Sequence, residues 1–175
     1  PLVSTIPFHA GVVGGLVLAW QLGAEVVQTR TINTWSGRGE VIERDRSFYG
    51  ALNVSAAGSG SERRLELVHG TTSHGVQYVA PDRHAVPTSY YTPSAGAGLA
   101  LSRHPLRVDG DHAMRIGAVG LGAGTVSAYA RRGDHLRYYE INPQVLDVAE
   151  RYFTYLADAR DRGAAVDVRL GDARI

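Results

Sequence analysis

The stretch MRIGAVGLGAG, residues 114–124, decides the fold because an apolar run leads directly into a turn with three glycines. An apolar run of this length is typical of a buried parallel strand. Residues 125–131 continue with a helical pattern, so the glycines stand between a strand and a helix. The spacing of Gly120, Gly122 and Gly124 indicates a turn where a ligand approaches the backbone, which a Cβ atom would block.

The residues after the glycine turn repeat this alternation. LRYYEI, residues 136–141, predicts a second strand, and residues 143–155 predict a helix with Pro143 in its first turn. AVDVRL, residues 165–170, predicts a third strand. The β-α-β-α-β order over residues 112–175 therefore predicts an α/β fold, the first half of a doubly wound, Rossmann-like sheet of the S-adenosylmethionine-methyltransferase type.

The glycine turn and the strand ends favour a nucleoside ligand. The dinucleotide fingerprint G-x-G-x-x-G needs glycine at the position of Thr125. The pattern G-x-G-x-G instead suits S-adenosylmethionine-type ligands, which lack a pyrophosphate. The alternative is a tight turn that binds no ligand. Glu140, at the end of the second strand, is predicted to accept both ribose hydroxyls, or else to be a helix N-cap or surface acid. Asp172, after the third strand, is predicted to accept the adenine amino group, or else to be a turn aspartate.

Residues 40–105 predict a smaller antiparallel β module that precedes the α/β part. RSFYGALNV, residues 46–54, alternates like one strand. A Gly/Ser turn and a strand at residues 64–68 follow, and residues 69–79 add a turn and a third strand. A short helix is predicted next, with Ser94 as its N-cap.

The composition excludes several kinds of site. The 175 residues include 18 basic and 17 acidic side chains, a net charge of +1, so no nucleic-acid partner is expected. Cysteine is absent, which excludes disulfides, thiolate metal sites and a cysteine nucleophile. All 18 basic residues are arginine, so pyridoxal-phosphate chemistry and a Walker-type phosphate lysine are excluded as well.

The amino-terminal residues 1–28 are mostly apolar. Residues 2–22 carry no charged side chain, and about 20 such residues cross a bilayer as a helix. We therefore predict the end of a transmembrane region here, with the domain facing the cytoplasm; a buried helix of a cytoplasmic protein is the alternative. The chain starts at Pro1 and stops at Ile175 directly after a strand-like run, so we expect a piece of a longer protein.

A second group of polar residues lies in the β module. His69, His74 and Gln77 cluster in HGTTSHGVQ, where the lack of a nearby acid favours a structural turn over a metal site, so no metal is expected. Tyr90 and Tyr91 in PTSYY are predicted to line a cleft between the β module and the sheet, with core packing as the alternative.

Together these motifs resemble the spermidine synthase (polyamine aminopropyltransferase) family, in the bacterial form whose domain follows membrane helices. The resemblance covers residues 41–172 and lies in SFYGALNV, LVHGTTSHGVQ, PTSYY, GLGAGT and YYEINPQVLDVAERYF. It implies transfer of an aminopropyl group from decarboxylated S-adenosylmethionine, a co-substrate rather than a resident cofactor, to putrescine or a related amine. The expected partners are then a nucleoside and a small amine, with a homodimer as a further expectation.

The resemblance also implies roles for residues by their position. Glu140 would hold the ribose, Asp172 the adenine, and Gln77 would lie near the nucleoside. Tyr90 would face the amine channel. The residues expected to bind substrate are Tyr90, Tyr91 and His74.

Two departures from the family pattern keep other functions open. The family turn usually reads G-G-G-D-G-G, and its aspartate pairs with the aminopropyl ammonium, whereas Ala123 occupies that position here. The catalytic base belongs to an acidic loop expected beyond Ile175, so no catalytic residue is assigned and the chain by itself is expected to be inactive. Methyl transfer from S-adenosylmethionine and non-catalytic binding of a nucleoside or polyamine are the alternatives.

Overall fold

The computed structural model describes residues 31–34, 37–110 and 112–174. The apolar residues 2–22 and the rest of the region 1–28, where a membrane segment was predicted, lie outside these ranges. Within the described ranges, none of the helices has both the length and the apolar character needed to cross a bilayer.

Among the described residues of the amino-terminal half, five strands form one antiparallel sheet and are paired in chain order. They are β1 (Thr31–Thr34), β2 (Gly37–Ser47), β3 (Gly50–Ala57), β4 (Arg64–His69) and β5 (Thr72–Tyr78). The sheet thus begins upstream of residue 40, and β4 and β5 lie where strands were predicted. β3 is the middle strand, and its residues 52–56 are all buried.

The predicted single strand at residues 46–54 is wrong, because the chain reverses within it. β2 ends at Ser47 and β3 begins at Gly50, and these two residues lie opposite each other across a two-residue loop. Gly50 has φ +117°, a conformation that glycine adopts without strain. The Ser47 hydroxyl accepts the N–H of Tyr49 at 3.1 Å, which stabilises the same turn.

Three strands of the carboxyl-terminal half form a parallel sheet in the order β6–β7–β8. They are β6 (Arg115–Val119), β7 (His135–Glu140) and β8 (Ala165–Leu170), each where a strand was predicted. This mixed α/β architecture is compatible with a Rossmann-like, methyltransferase-type sheet. Because Val119 lies opposite Tyr139 and Glu140 opposite Leu170, the carboxyl ends of all three strands meet at one edge.

Within the part of the chain that the structure describes, four short α-helices connect and cover the sheets. They are α1 (Gly96–Ser102), α2 (Pro105–Val108), α3 (Pro143–Tyr152) and α4 (Tyr155–Asp161), and one 3₁₀ segment, Thr125–Tyr129, follows the glycine turn. The N-cap of α1 is Ala95 rather than the predicted Ser94. A helix was predicted over residues 125–131, and this 3₁₀ segment is shorter than that and more tightly wound than an α-helix.

The helix predicted over residues 143–155 is interrupted. Phe153 has extended dihedral angles, φ −116° and ψ 147°, so α3 ends before it and α4 starts two residues later. The N–H of Thr154 is donated to Gln77 Oε1 at 2.9 Å instead of to a helical carbonyl. A long-range side-chain contact thus ends this helix, and no local pattern announces it.

One hydrophobic core joins the two sheets. Leu52, Val54 and Leu67 of the antiparallel sheet belong to the same buried cluster as Leu136 and Tyr138 of β7. The helices α3 and α4 add further members, so the turn after β6 is held between the two sheets.

Candidate functional site

The glycine turn after β6 adopts the backbone that its sequence requires. Gly120, Gly122 and Gly124 have φ values of +85°, +56° and +80°, a region that side chains disfavour. A Cβ atom on Gly122 would lie 2.3 Å from the carbonyl oxygen of His74, so the turn packs directly on β5. A Cβ atom on Gly120 would meet no protein atom within 4 Å, so this glycine borders open space.

Most backbone N–H groups of the turn already have protein acceptors. Those of Gly120 and Gly124 bond to carbonyl oxygens at 2.8 and 3.0 Å, and that of Ala123 bonds to the His74 carbonyl at 3.1 Å. The N–H of Leu121 bonds to Glu140 at 2.8 Å. Within the described residues, only the N–H of Gly122 in this turn has no acceptor. A phosphate cradle needs several free donors, so this turn is not built to hold a pyrophosphate.

Glu140 is fixed at the carboxyl end of β7 by main-chain donors. It is 7% exposed, and its two carboxylate oxygens accept the N–H of Leu121 at 2.8 Å and the N–H of Asn142 at 2.9 Å. A carboxylate has about four lone-pair sites, so each oxygen keeps room for one further donor. The side chain thus joins the glycine turn to the start of α3 and still presents acceptors to a ligand.

A crevice opens above these residues at the carboxyl edge of the parallel sheet. Its deeper part has a volume of about 420 Å³ and lies between the glycine turn and the antiparallel sheet. A second part of about 380 Å³ continues toward the end of β8, and both parts border Gly120 and Glu140. The deeper part is lined by Tyr49, Leu52, Leu67, His69, His74, Tyr91, Val119, Gly120, Leu121, Gly122, Glu140, Ile141, Asn142 and Val145.

Asp172 borders the shallower part of the crevice. Its carboxylate accepts the backbone N–H of Arg174 at 3.0 Å and also pairs with the guanidinium of that residue. These bonds from Arg174 hold the pKa of Asp172 below its usual value. The bond to the N–H two residues ahead is the turn geometry that the alternative interpretation expected.

Three residues of the β module that were predicted to bind substrate lie at different places. His74 and Tyr91 both line the deep part of the crevice, whereas Tyr90 does not and is 54% exposed. The Tyr90 ring packs on that of Tyr91 with their centroids 4.5 Å apart. Burial and the neighbouring His69 lower the pKa of His74, although Glu140 acts in the opposite direction, so its imidazole favours the neutral form.

Gln77 lies outside the crevice. Its amide nitrogen donates to the His84 carbonyl and to Thr154 Oγ1, each at 2.8 Å, and its oxygen accepts the N–H of Thr154. The side chain is 3% exposed and connects β5 to the start of α4. The structure therefore gives Gln77 a connecting role, and the residues that line the crevice do not include it.

Besides apolar lining residues, two crevice residues with polar side-chain groups, Tyr49 and Asn142, were not anticipated from the sequence. Tyr49 reaches it because the hairpin between β2 and β3 turns there, and the alternation of residues 46–54 hid that turn. Asn142 is 2% exposed; its oxygen accepts the N–H of Gln144 at 3.1 Å as the N-cap of α3, while its amide nitrogen is buried without a partner among the described residues. The Asn-Pro pair before a predicted helix was the available signal for this cap.

Comparison with known proteins finds a weak structural similarity. No protein-family model matches the chain, and no curated protein matches it. Among solved structures, the chain is similar to a spermidine synthase in complex with the transition-state analogue AdoDATO, with 12% sequence identity and a TM-score of 0.44. The match covers 76% of this chain and 43% of that one, so the chain spans less than half of the solved protein's length.

Proposed function

We propose that the crevice binds the nucleoside part of decarboxylated S-adenosylmethionine, and that the chain is the nucleoside-binding part of an aminopropyltransferase. The observation that carries this proposal is Glu140, a buried carboxylate fixed by two main-chain N–H groups beside the open space at Gly120. A carboxylate at the carboxyl end of the second strand is well placed to accept two ribose hydroxyls.

The choice of a nucleoside over a dinucleotide rests on the donors of the glycine turn. Of its N–H groups, only that of Gly122 has no acceptor among the described residues, which is too few for a pyrophosphate. A ribose instead needs acceptors for its hydroxyl groups, and Glu140 offers them.

Asn142 supports the same ligand with a donor. Its amide nitrogen is buried, has no partner among the described residues, and belongs to a side chain that lines the crevice beside Glu140. A buried donor without an acceptor costs about 1–3 kcal/mol, so a ligand acceptor at this point would recover that energy. A ribose or adenine acceptor has the required chemistry, next to hydroxyls that donate to Glu140.

The remaining wall of the crevice suits a cationic tail. Tyr49 and Tyr91 present aromatic rings, and a neutral His74 adds no positive charge that would repel a sulfonium or an ammonium. In the proposed reaction the neutral amine nitrogen attacks the carbon next to the sulfonium, the C–S bond breaks, and methylthioadenosine leaves with the bonding electrons. The amine then loses one proton to a base, which we expect in the acidic loop that the resemblance implies beyond Ile175.

Methyl transfer from S-adenosylmethionine is a second candidate, favoured by the surroundings of Ala123. This side chain is 1% exposed, and a Cβ atom on Gly75 would lie 2.5 Å from its methyl group. A carboxylate that neutralises an aminopropyl ammonium therefore has no space at position 123. Non-catalytic binding of a nucleoside or polyamine remains the third candidate, and the experiment below separates the three.

The test is calorimetric titration of this chain with 5′-methylthioadenosine and with its 2′-deoxy analogue. We expect the deoxy analogue, and the Glu140→Gln variant with the parent nucleoside, each to bind about tenfold more weakly, because each loses a hydrogen bond to a charged group. Glu150→Gln is the matched control, since Glu150 lies on the exposed side of α3. Equal affinity of the wild-type chain for both nucleosides would contradict the role of Glu140, whether or not the variant folds.

The same titration with decarboxylated S-adenosylmethionine and with S-adenosylmethionine separates the candidate reactions. Tighter binding of decarboxylated S-adenosylmethionine supports aminopropyl transfer, and tighter binding of S-adenosylmethionine supports methyl transfer. Mass spectrometry of a reaction between putrescine, each of these compounds and a protein that includes the acidic loop then identifies an added aminopropyl or methyl group. Tight nucleoside binding without any new product from a protein that includes the acidic loop would favour the binding module.

A further inference from the structure

A second cavity lies at the opposite, amino-terminal edge of the parallel sheet. It has a volume of about 520 Å³ and shares no lining residue with the crevice. The loop at residues 130–134, which leads into β7, forms one side, and the end of α4 forms another. We call it the arginine pocket; it is lined by Leu101, Ser102, Ala128, Tyr129, Ala130, Arg131, Arg132 and Arg162.

Arg162 is held in place by carbonyl groups rather than by a carboxylate. Its Nη2 donates to the Ser127 carbonyl at 2.8 Å and its Nε to the Ala130 carbonyl at 3.3 Å. Its Nη1 has no acceptor among the described residues. Carbonyls orient the guanidinium without cancelling its charge, so Arg162 contributes a fixed cation with a donor to spare.

Arg132 lies beside it because Gly163 leaves the space. A Cβ atom on Gly163 would lie 3.4 Å from Arg132 Cγ and 3.6 Å from Arg132 Cζ, so the arginine side chain lies over this glycine. Gly163 directly follows Arg162 in the chain, and two guanidinium-bearing side chains therefore converge at the end of α4. Arg131 also belongs to the lining of the pocket.

The buried acid at the end of this loop does not neutralise the pocket. Asp134 is 1% exposed and forms a buried ion pair with Arg107, and its carboxylate also accepts the N–H groups of Arg131 and Met114. None of the described aspartates or glutamates lines the pocket. Arg132 and Arg162 thus bring two cationic side chains to one concave space, and no acidic residue among those that line it supplies a counter-charge.

We propose that the arginine pocket binds a phosphate-type oxyanion, such as the phosphoryl group of a small phosphorylated ligand. Guanidinium forks match phosphate oxygens in geometry, and hydrogen bonds between two charged groups are the strongest in proteins. A tetrahedral phosphate offers oxygens in several directions, which suits arginines from two sides of a cavity, whereas a planar carboxylate occupies one fork. This site is independent of the proposed nucleoside function, because the two cavities share no residue.

The test is titration of the full chain with pyrophosphate at constant ionic strength, followed by calorimetry and by amide NMR. We expect saturable binding, with shifted amide signals around residues 128–132 and 162–163. Arg132→Ala should weaken binding about tenfold, the effect of losing one charge-assisted hydrogen bond, and Arg132→Lys should weaken it less because the charge remains. Arg169→Ala is the matched control: it removes the same charge at the far end of β8 and should leave the affinity unchanged.

Three results would overturn the proposal. The first is the absence of saturable binding by the wild-type chain, and the second is an equal loss in Arg132→Ala and Arg169→Ala, which would indicate general charge attraction. The third is citrate binding as tightly as pyrophosphate, which would assign the pocket to carboxylates. Arg132 makes no hydrogen bond to the described residues, so its replacement should leave the fold intact, and thermal unfolding of the variant checks this.

Discussion

The two edges of the parallel sheet carry opposite charges that are held by the same physical means. At the carboxyl edge, the Glu140 carboxylate is fixed by the N–H groups of Leu121 and Asn142. At the amino edge, the Arg162 guanidinium is fixed by the carbonyls of Ser127 and Ala130. In both places the main chain orients a charge and leaves it uncancelled, which is what a site for a polar or charged ligand requires.

The buried pair of Arg107 and Asp134 shows the contrasting arrangement. Burial alone would raise the pKa of Asp134, but the bonds from Arg107 and from two main-chain N–H groups hold it below the usual value. Here the two charges cancel each other inside the protein and nothing remains for a ligand. The comparison therefore predicts that this pair affects stability, while Glu140 and Arg132 affect binding.

The largest expected effect follows from breaking that buried pair. Asp134→Ala leaves the Arg107 guanidinium buried without its partner, and we expect the free energy of unfolding to fall by about 3–5 kcal/mol. Urea denaturation measures it. Asp147→Ala is the control, since Asp147 pairs with Arg151 on the surface and its loss should cost at most about 0.5 kcal/mol. A similar loss in both variants would contradict the distinction between buried and exposed pairs.

A smaller effect should separate two glycines of the same turn. Gly122→Ala combines a positive φ with a Cβ atom 2.3 Å from the His74 carbonyl, so we expect a stability loss of about 2 kcal/mol. Gly120→Ala also has a positive φ but meets no protein atom, so about 1 kcal/mol is expected. Its Cβ atom borders the crevice, however, and should weaken nucleoside binding.

Denaturation and nucleoside titration of both variants test this pair. The interpretation holds if Gly122→Ala lowers the free energy of unfolding more than Gly120→Ala does. It also requires that Gly120→Ala, under conditions where it is folded, loses more free energy of nucleoside binding than free energy of unfolding. It is wrong if Gly120→Ala binds methylthioadenosine as the wild type does, since the ligand then lies elsewhere.

Local sequence patterns were sufficient for the parallel sheet. β6, β7 and β8 were predicted because apolar strands, a glycine turn and a Pro-started helix each follow from neighbouring residues. The prediction of one continuous helix over residues 143–155 failed because distant residues decide the conformation there. The contact between Gln77 and Thr154 ends α3, and these residues are far apart in the chain.

The residues of the candidate site also include some that the sequence predicted and some that it did not. The glycine turn and Glu140 meet because strand ends of a parallel sheet meet, which sequence order predicts. Gln77 was expected in the crevice and lies elsewhere, since its burial depends on the loop that follows β5. Asn142 and Tyr49 line the crevice through a helix cap and a hairpin, whose side-chain directions local alternation did not give.

The smallest expected effect concerns pH at the carboxyl edge. Burial and the adjacent His69 hold the pKa of His74 below its usual value near 6.5. Around and just below pH 6.5 the unfolded chain therefore binds a proton at His74 that the folded chain does not. The free energy of unfolding should therefore rise with pH through this window. The contribution of His74 should be fully present above pH 6.5 and should be lost progressively as the pH falls.

Urea denaturation between pH 5 and pH 8 measures this contribution, and His74→Gln should remove it. His112→Gln serves as the matched control, because His112 is exposed and does not line the crevice.

Ligand binding adds a second readout, since a protonated His74 would repel a cationic sulfonium but not the uncharged methylthioadenosine. Acidification should therefore weaken the binding of decarboxylated S-adenosylmethionine more than that of methylthioadenosine. Parallel pH profiles for the two ligands would remove His74 from the wall of the cationic tail, while leaving Glu140 and the ribose unaffected.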